Sequence, residues 1–252
     1  MSDLAGQRRA GARRTGPRAL LLQVRDEPQA EAQERLCFLE ATALPPERLA
    51  CHNLVDEPRL AWSQVRRFDV VMVGGAGAHT VTAAYPFSVA LSDTLRRLVD
   101  EERPLFASCY GHHALVEALG GEVVTDPRTG EVGSFDVELT AAGRRDPLFA
   151  ALPPRFPVQL GHHDRVARLP ELLVELAVSD RCPYQALRAV GLPIYSTQFH
   201  SEMTVEHMVA RLMYYRDSYL AERATAEEVS QLLVPSPEAA TLIRRFFELY
   251  LD

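Results

Sequence analysis

A thiol, an imidazole and a carboxylate carry the chemistry in this chain. Cys109 sits in Leu105-Phe106-Ala107-Ser108-Cys109-Tyr110-Gly111, between a short apolar run and a segment of helical spacing, with a small residue two before and two after it. A nucleophile on a sharp strand-to-helix turn needs such neighbours, because the strained backbone leaves no room for large flanking side chains. A thiol at a helix N-terminus also feels the partial positive charge there, which favours the thiolate. His200 and Glu202 follow a second strand-like run, Thr197-Gln198-Phe199-His200-Ser201-Glu202. An imidazole that takes a thiol proton needs a third group to fix its tautomer and stabilise the imidazolium, and a carboxylate two residues on can do so. The three predict thiol attack on an amide-type carbonyl, with Cys109 as nucleophile, His200 as base and Glu202 as orienting acid. Taken singly, each has a plainer reading: an inert buried cysteine and a surface His-x-Glu pair.

The elements that must position them follow from periodicity. Apolar runs at 19–24, 49–54, 68–73 and 104–108 read as strands, and segments at 27–43, 59–67, 88–99 and 111–119 as helices between or after them. Strand and helix in alternation predict an α/β protein with a parallel sheet covered on both faces, whose ligands gather at the carboxyl ends of the strands. Cys109 and the glycine loop Gly74-Gly75-Ala76-Gly77 both fall at such ends. The loop reads equally as a simple strand-to-helix turn; a phosphate loop is disfavoured, because no GKS/T follows. The second half differs. Short strands at 131–139, 158–161, 175–179, 185–189 and 194–199, separated by Pro and Gly turns, predict antiparallel additions. Helices are expected over 204–219, 226–233 and 237–251, with Thr225 and Glu228 as a capping box and Ser236-Pro237 as a helix start.

Composition bounds the rest. The chain has 252 residues, 47% apolar and 24% charged, enough for one large core under an ordinary solvated surface. Residues 1–17, with Arg8, Arg9, Arg13 and Arg14, read as a flexible basic tail, and 18–252 as a single domain. A net charge of −7 offers no general attraction to nucleic acid. No apolar stretch reaches bilayer length and the first residues carry no signal-type block, so the expected location is cytoplasmic with no membrane contact. Cys37, Cys51 and Cys182 lack the turn of Cys109 and no CxxC occurs, which fits reduced thiols rather than disulfides or a zinc site. A metal hydrolase built on His112-His113, His162-His163 and Asp164 is disfavoured, because adjacent residues on a strand point to opposite faces. No metal and no cofactor is expected.

Ser108-Cys109-Tyr110-Gly111-His112 with Gln198-Phe199-His200-Ser201-Glu202 resembles the class I glutamine amidotransferases, in particular the glutaminase domain of GMP synthetases. Further ordered matches are Gly74-Gly75, Leu119-Gly120-Gly121, Gly161-His162-His163-Asp164-Arg165-Val166 and Asp180-Arg181-Cys182-Pro183-Tyr184-Gln185. The resemblance implies a three-layer, flavodoxin-like sandwich with a mostly parallel sheet, antiparallel additions and C-terminal helices. It implies that Cys109 attacks the γ-amide of glutamine to give a thioester and ammonia, with the oxyanion held by the amides of Gly75 and Tyr110. Gly77, His113 and Gly133-Ser134-Phe135 are then expected at the substrate, and a synthetase partner is the expected ammonia acceptor. The chain departs from the pattern at Ala107 (usually Gly), Ser201 (usually Pro) and His113 (usually Gln), the last offering a group that titrates near neutrality. Two alternatives stand beside glutamine hydrolysis: a γ-glutamyl peptide hydrolase, and a catalytically degenerate regulatory subunit that still binds a small amino acid.

Overall fold

Along each central strand, successive apolar residues have opposite fates, and that division builds the layers. The structure, a computed structural model, describes residues 16–216 and 225–251. Its strands are β1 (Ala19–Gln23), β2 (Leu49–Asn53), β3 (Val70–Val73), β4 (Leu105–Ser108), β5 (Glu122–Thr125), β6 (Glu131–Leu139), β7 (Arg155–His162), β8 (Asp164–Arg168), β9 (Leu173–Ser179), β10 (Ala186–Ala189) and β11 (Ile194–Thr197). The helices are α1 (Pro28–Thr42), α2 (Trp62–Val65), α3 (Ser88–Asp100), α4 (Tyr110–Ala118), α5 (Val205–Tyr214), α6 (Ala226–Gln231) and α7 (Leu242–Tyr250). Leu20, Leu22, Val71, Val73, Leu105 and Ala107 pack with Leu91, Leu95 and Leu98 of α3 and Leu115 of α4. Their neighbours Ala19, Leu21, Val70, Met72 and Phe106 pack on the other face with Phe38 of α1 and Phe246 of α7. A strand buried on both faces has no polar side to alternate with, which is why these runs are continuously apolar.

The main sheet has nine strands in the order β2-β1-β3-β4-β11-β10-β9-β6-β7. The first five are mutually parallel and the last four are added antiparallel. This is the three-layer α/β arrangement with antiparallel additions that the sequence predicts. Glu228 N donates to Thr225 Oγ1 at 3.2 Å, so the expected capping box forms.

Differences are local. β5 and β8 form a separate two-stranded sheet that the sequence does not announce, because each buries only one valine, Val123 and Val166, and neither shows an apolar period. The helix expected from Ser236-Pro237 opens instead with a 3-10 turn, Ala239–Thr241, before α7. The helix expected over 204–219 reaches Tyr214 as α5, and its last part lies outside the described residues, as does the tail up to residue 15.

Candidate active site

β4 lies between β3 and β11, all parallel, so the residues leaving their carboxyl ends share one rim. Cys109, the first residue after β4, has φ 51° and ψ −101°. A non-glycine residue in such a region costs about 1–3 kcal/mol and is held there only by its surroundings. Here the Cys109 amide donates to the carbonyl of Thr197 at 2.8 Å, and the Gly111 amide to that of Gly74 at 3.1 Å. Both neighbouring strand ends therefore pin the turn. A Cβ at Gly111 would lie 2.8 Å from both the side chain and the carbonyl oxygen of Val73, which is the steric reason for glycine two residues past the thiol.

His200 follows β11 and its amide donates to Gln159 O at 3.0 Å. Its Nδ1 lies 2.6 Å from Glu202 Oε1, while Glu202 Oε2 accepts the Ser108 hydroxyl at 3.0 Å. The orienting acid is thus tied to the residue just before the nucleophile. Burial alone would lower the basicity of His200, but the Glu202 carboxylate and the neighbouring Cys109 raise its pKa to about 9; the Cys109 thiol itself is directed to Gly161 O at 3.9 Å. Burial likewise penalises the charged Glu202, yet the imidazolium holds its carboxyl below the ordinary value. Near neutral pH the pair is a buried imidazolium and carboxylate.

A cavity of about 210 Å³ opens beside the thiol, and Gly75, Gly77, Tyr110 and His113 line it. Gly133, Ser134 and Phe135 do not. The Ser134 hydroxyl donates to Gln159 Oε1 at 3.0 Å and accepts the amide of Val234 at 2.8 Å, and Phe135 packs under the Arg181 guanidinium, so both side chains are engaged outside the cavity. Gly77, with φ +62°, touches the Tyr215 ring so closely that any Cβ would collide with it. The Gly75 amide, expected at the oxyanion, donates in this structure to Glu34 Oε1 at 3.1 Å, because a carboxylate buried there needs every donor in reach. Tyr110, in the first turn of α4, keeps an amide with no intrahelical acceptor. Burial and the nearby His162 push His113 down to about 3, so it is a neutral imidazole, not the near-neutral titrating group expected from its type.

His112 packs away from the cavity, its Nδ1 3.0 Å from Ser196 Oγ. His162 uses both ring nitrogens, Nδ1 at 2.7 Å from Asp164 O and Nε2 at 3.0 Å from Glu131 Oε2, which leaves none for a metal. Asp164 accepts hydroxyls from Thr80 and Thr125 and so braces the cavity rim, bridging the segment after the glycine loop to β5. Four groups in or at the cavity escaped the sequence reading of the site. Gln198 Nε2 donates to Cys109 Sγ at 3.8 Å. Arg25, Glu34 and Arg211 meet beneath the glycine loop. Only Arg25 carried a signal, a charge directly after an apolar strand; nothing in the helical patterns sets Glu34 or Arg211 apart from solvated residues.

The sequence model described as Glutamine amidotransferase class-I matches residues 62–215. Among curated proteins, the chain is 32% identical over 111 residues to a glutamine-hydrolyzing GMP synthase subunit of Methanopyrus kandleri, covering 43% of this chain and 58% of that one. It is 31% identical over 137 residues to the glutamine-hydrolyzing GMP synthase of Thermosipho melanesiensis, covering 51% of this chain but only 26% of that protein. The chain thus spans about a quarter of the length of that synthase. In fold it is similar to a glutamine amidotransferase of Thermotoga maritima, with a TM-score of 0.76 at 17% identity over 93% of this chain and 98% of that one. A glutamine amidotransferase of Methylobacillus flagellatus superposes with a TM-score of 0.69 at 19% identity, covering 93% and 92%. The family match spans more than half of the sequence, and the protein belongs to the class I glutamine amidotransferases.

Proposed function

We propose that this protein hydrolyses the γ-amide of glutamine through a thioester on Cys109, with release of ammonia and glutamate. The observation that carries the reading is the arrangement of the three groups: a thiol on a strained turn at the rim that His200 shares, and a buried Glu202 that holds the imidazole at 2.6 Å. In the first half-reaction the Cys109 proton has passed to His200, the resulting thiolate bonds to the amide carbon, and the carbonyl π electrons move to oxygen. The C–N bond then breaks as His200 gives its proton to the departing nitrogen, which leaves as ammonia. In the second half His200 takes a proton from water, the hydroxide bonds to the thioester carbon, and the C–S bond breaks to return the thiolate. The Tyr110 amide is the ready donor for the oxyanion. The Gly75 amide joins it once Glu34 releases it, and a donor of that kind contributes about 3–4 kcal/mol to the transition state.

The likeness to glutamine-hydrolysing GMP synthases supports glutamine as substrate and a synthetase as the ammonia acceptor. The complete relay speaks against a degenerate regulatory subunit. His113 keeps a γ-glutamyl peptide hydrolase in view, since a neutral imidazole holds an amino acid differently from a carboxamide. Ammonia release from glutamine, measured beside glutamate release from γ-glutamyl dipeptides, tests the proposal: we expect glutamine to be turned over. Hydrolysis of the dipeptides alone, or of neither, would refute it.

A further inference from the structure

Beneath the glycine loop three charges are buried together. Arg25 and Arg211 are 2% and 6% exposed, and both line the cavity that holds Cys109. Glu34, fully buried on α1, lies between them, with Oε1 at 2.5 Å from Arg25 Nη2 and 3.8 Å from Arg211 Nη1. The same oxygen accepts the Gly75 amide, and Oε2 accepts Gln23 Nε2 at 3.1 Å. Two guanidinium charges therefore share one carboxylate that is already saturated by closer donors.

Arg211 is the group left short. Its Nε donates to Gln33 Oε1 at 2.7 Å, but among the described residues neither terminal nitrogen has a hydrogen-bond acceptor. Burying an ion with its donors unmet costs several kcal/mol, and such a group is retained where something completes it. The remaining charges near the cavity do not: Glu202 is engaged by His200 and Ser108, and Asp164 by Thr80 and Thr125. Arg25 is close to the reacting centre, since a Cβ built on Gly75 would lie 2.9 Å from Arg25 Nη2 and 3.7 Å from Cys109 Cβ. A planar guanidinium with two free donors suits one ligand chemistry above others, a carboxylate taken in the fork.

We propose that Arg211, backed by Arg25, docks a carboxylate of the acyl-donor substrate, so that the cavity selects acidic amides over neutral ones. This rests on the cysteine amidase reading above. The carboxylate belongs either to the glutamyl half or to the amino acid that leaves, and substrate pairs separate the two: glutamine against its α-amide, and γ-glutamylglycine against γ-glutamylglycinamide. In whichever pair the charge matters, Arg211→Met should raise KM for the acid by about 30-fold, far more than it lowers kcat, while the amide is little affected. Arg211→Lys should recover part of the loss. No difference within either pair overturns the proposal.

A second measurement needs no turnover and no variant. The Cys109 peptide of the wild-type protein is followed by mass during alkylation with iodoacetamide, in the presence of glutarate or of its neutral diamide. Glutarate should slow the reaction by about tenfold at concentrations where the diamide does nothing. Equal protection by both, or by neither, overturns the carboxylate site even if Arg211→Met fails to fold. Protection by glutarate with no turnover of any amide would leave the site standing and sink the amidase reading instead.

Discussion

Replacing Glu202 by Gln keeps the shape of the relay and removes its charge. In the native protein His200 is raised from 6.5 to about 9 although burial opposes its protonation, which corresponds to about 3 kcal/mol in favour of the imidazolium. Glu202, 2.6 Å from Nδ1 and shielded from water, is the largest source of that preference. With a neutral carboxamide there, burial wins and the ring is uncharged at pH 7. The amide can also turn its NH₂ toward Nδ1, which selects the wrong tautomer. The ring must carry a proton to release ammonia, so native activity should hold up to about pH 9 and fall beyond it. In Glu202→Gln the falling limb should move below about pH 7, and kcat/KM at pH 7.5 should drop by about 10²–10³-fold. The assay is ammonia release from glutamine between pH 5 and 10, with alkylation of Cys109 by iodoacetamide over the same range. A falling limb that stays near pH 9, or a loss under tenfold, would refute the argument that Glu202 sets the charge of His200. Stability should follow the same logic. A raised His200 stabilises the fold fully below about pH 6.5 and loses that contribution as pH climbs through about 9; a depressed Glu202 contributes above about 4.5 and loses it as pH falls. Glu202→Gln should thus destabilise most near pH 5–6.5 and least above pH 9.

Four further outcomes are expected. Cys109→Gly should abolish turnover while raising stability by about 1–2 kcal/mol in urea titration, because φ 51° with ψ −101° suits glycine. Gly111→Ala should cost about 2–3 kcal/mol by the same titration, since its methyl meets the Val73 backbone at 2.8 Å. The KM for glutamine should be flat between pH 5 and 8, because His113 stays neutral throughout; an inflection near 6.5 that disappears in His113→Gln would show otherwise. Glu34→Gln should destabilise by about 3–5 kcal/mol by leaving two buried guanidiniums against each other, and a near-neutral result would mean that water already reaches Arg211.

The strands whose residues are buried on both faces were legible from runs of apolar type, and so was the turn at Cys109, because Ala107 and Gly111 are dictated by sterics that act within a few residues. His200 and Glu202 were readable for a similar reason, since an acid two residues from its base needs no tertiary knowledge to be paired. What remained hidden depends on contacts far apart in the chain. Glu34 looks like any acidic residue of α1, and only the packing of β1, β3 and α5 around it makes it a buried hub. Ser134 was placed at the substrate by resemblance, and its hydrogen bonds to Val234, beyond the family match, could not be read from the sequence. His113 had the right place and the wrong charge, because type predicts an ordinary imidazole and burial decides otherwise.

The position of β11 between β4 and β10 has a temporal consequence. The strand that ends in the nucleophile has no partner on one side until residues 194–197 are made, and the carbonyl that pins the Cys109 amide belongs to Thr197. Ribosomes add about 5–20 residues per second, so some 5–20 s separate the appearance of Cys109 from that of His200. Throughout that interval the turn lacks one of the two strand-end hydrogen bonds that pin it. The nucleophile's turn is thus completed late, when β11 takes its place between β4 and β10.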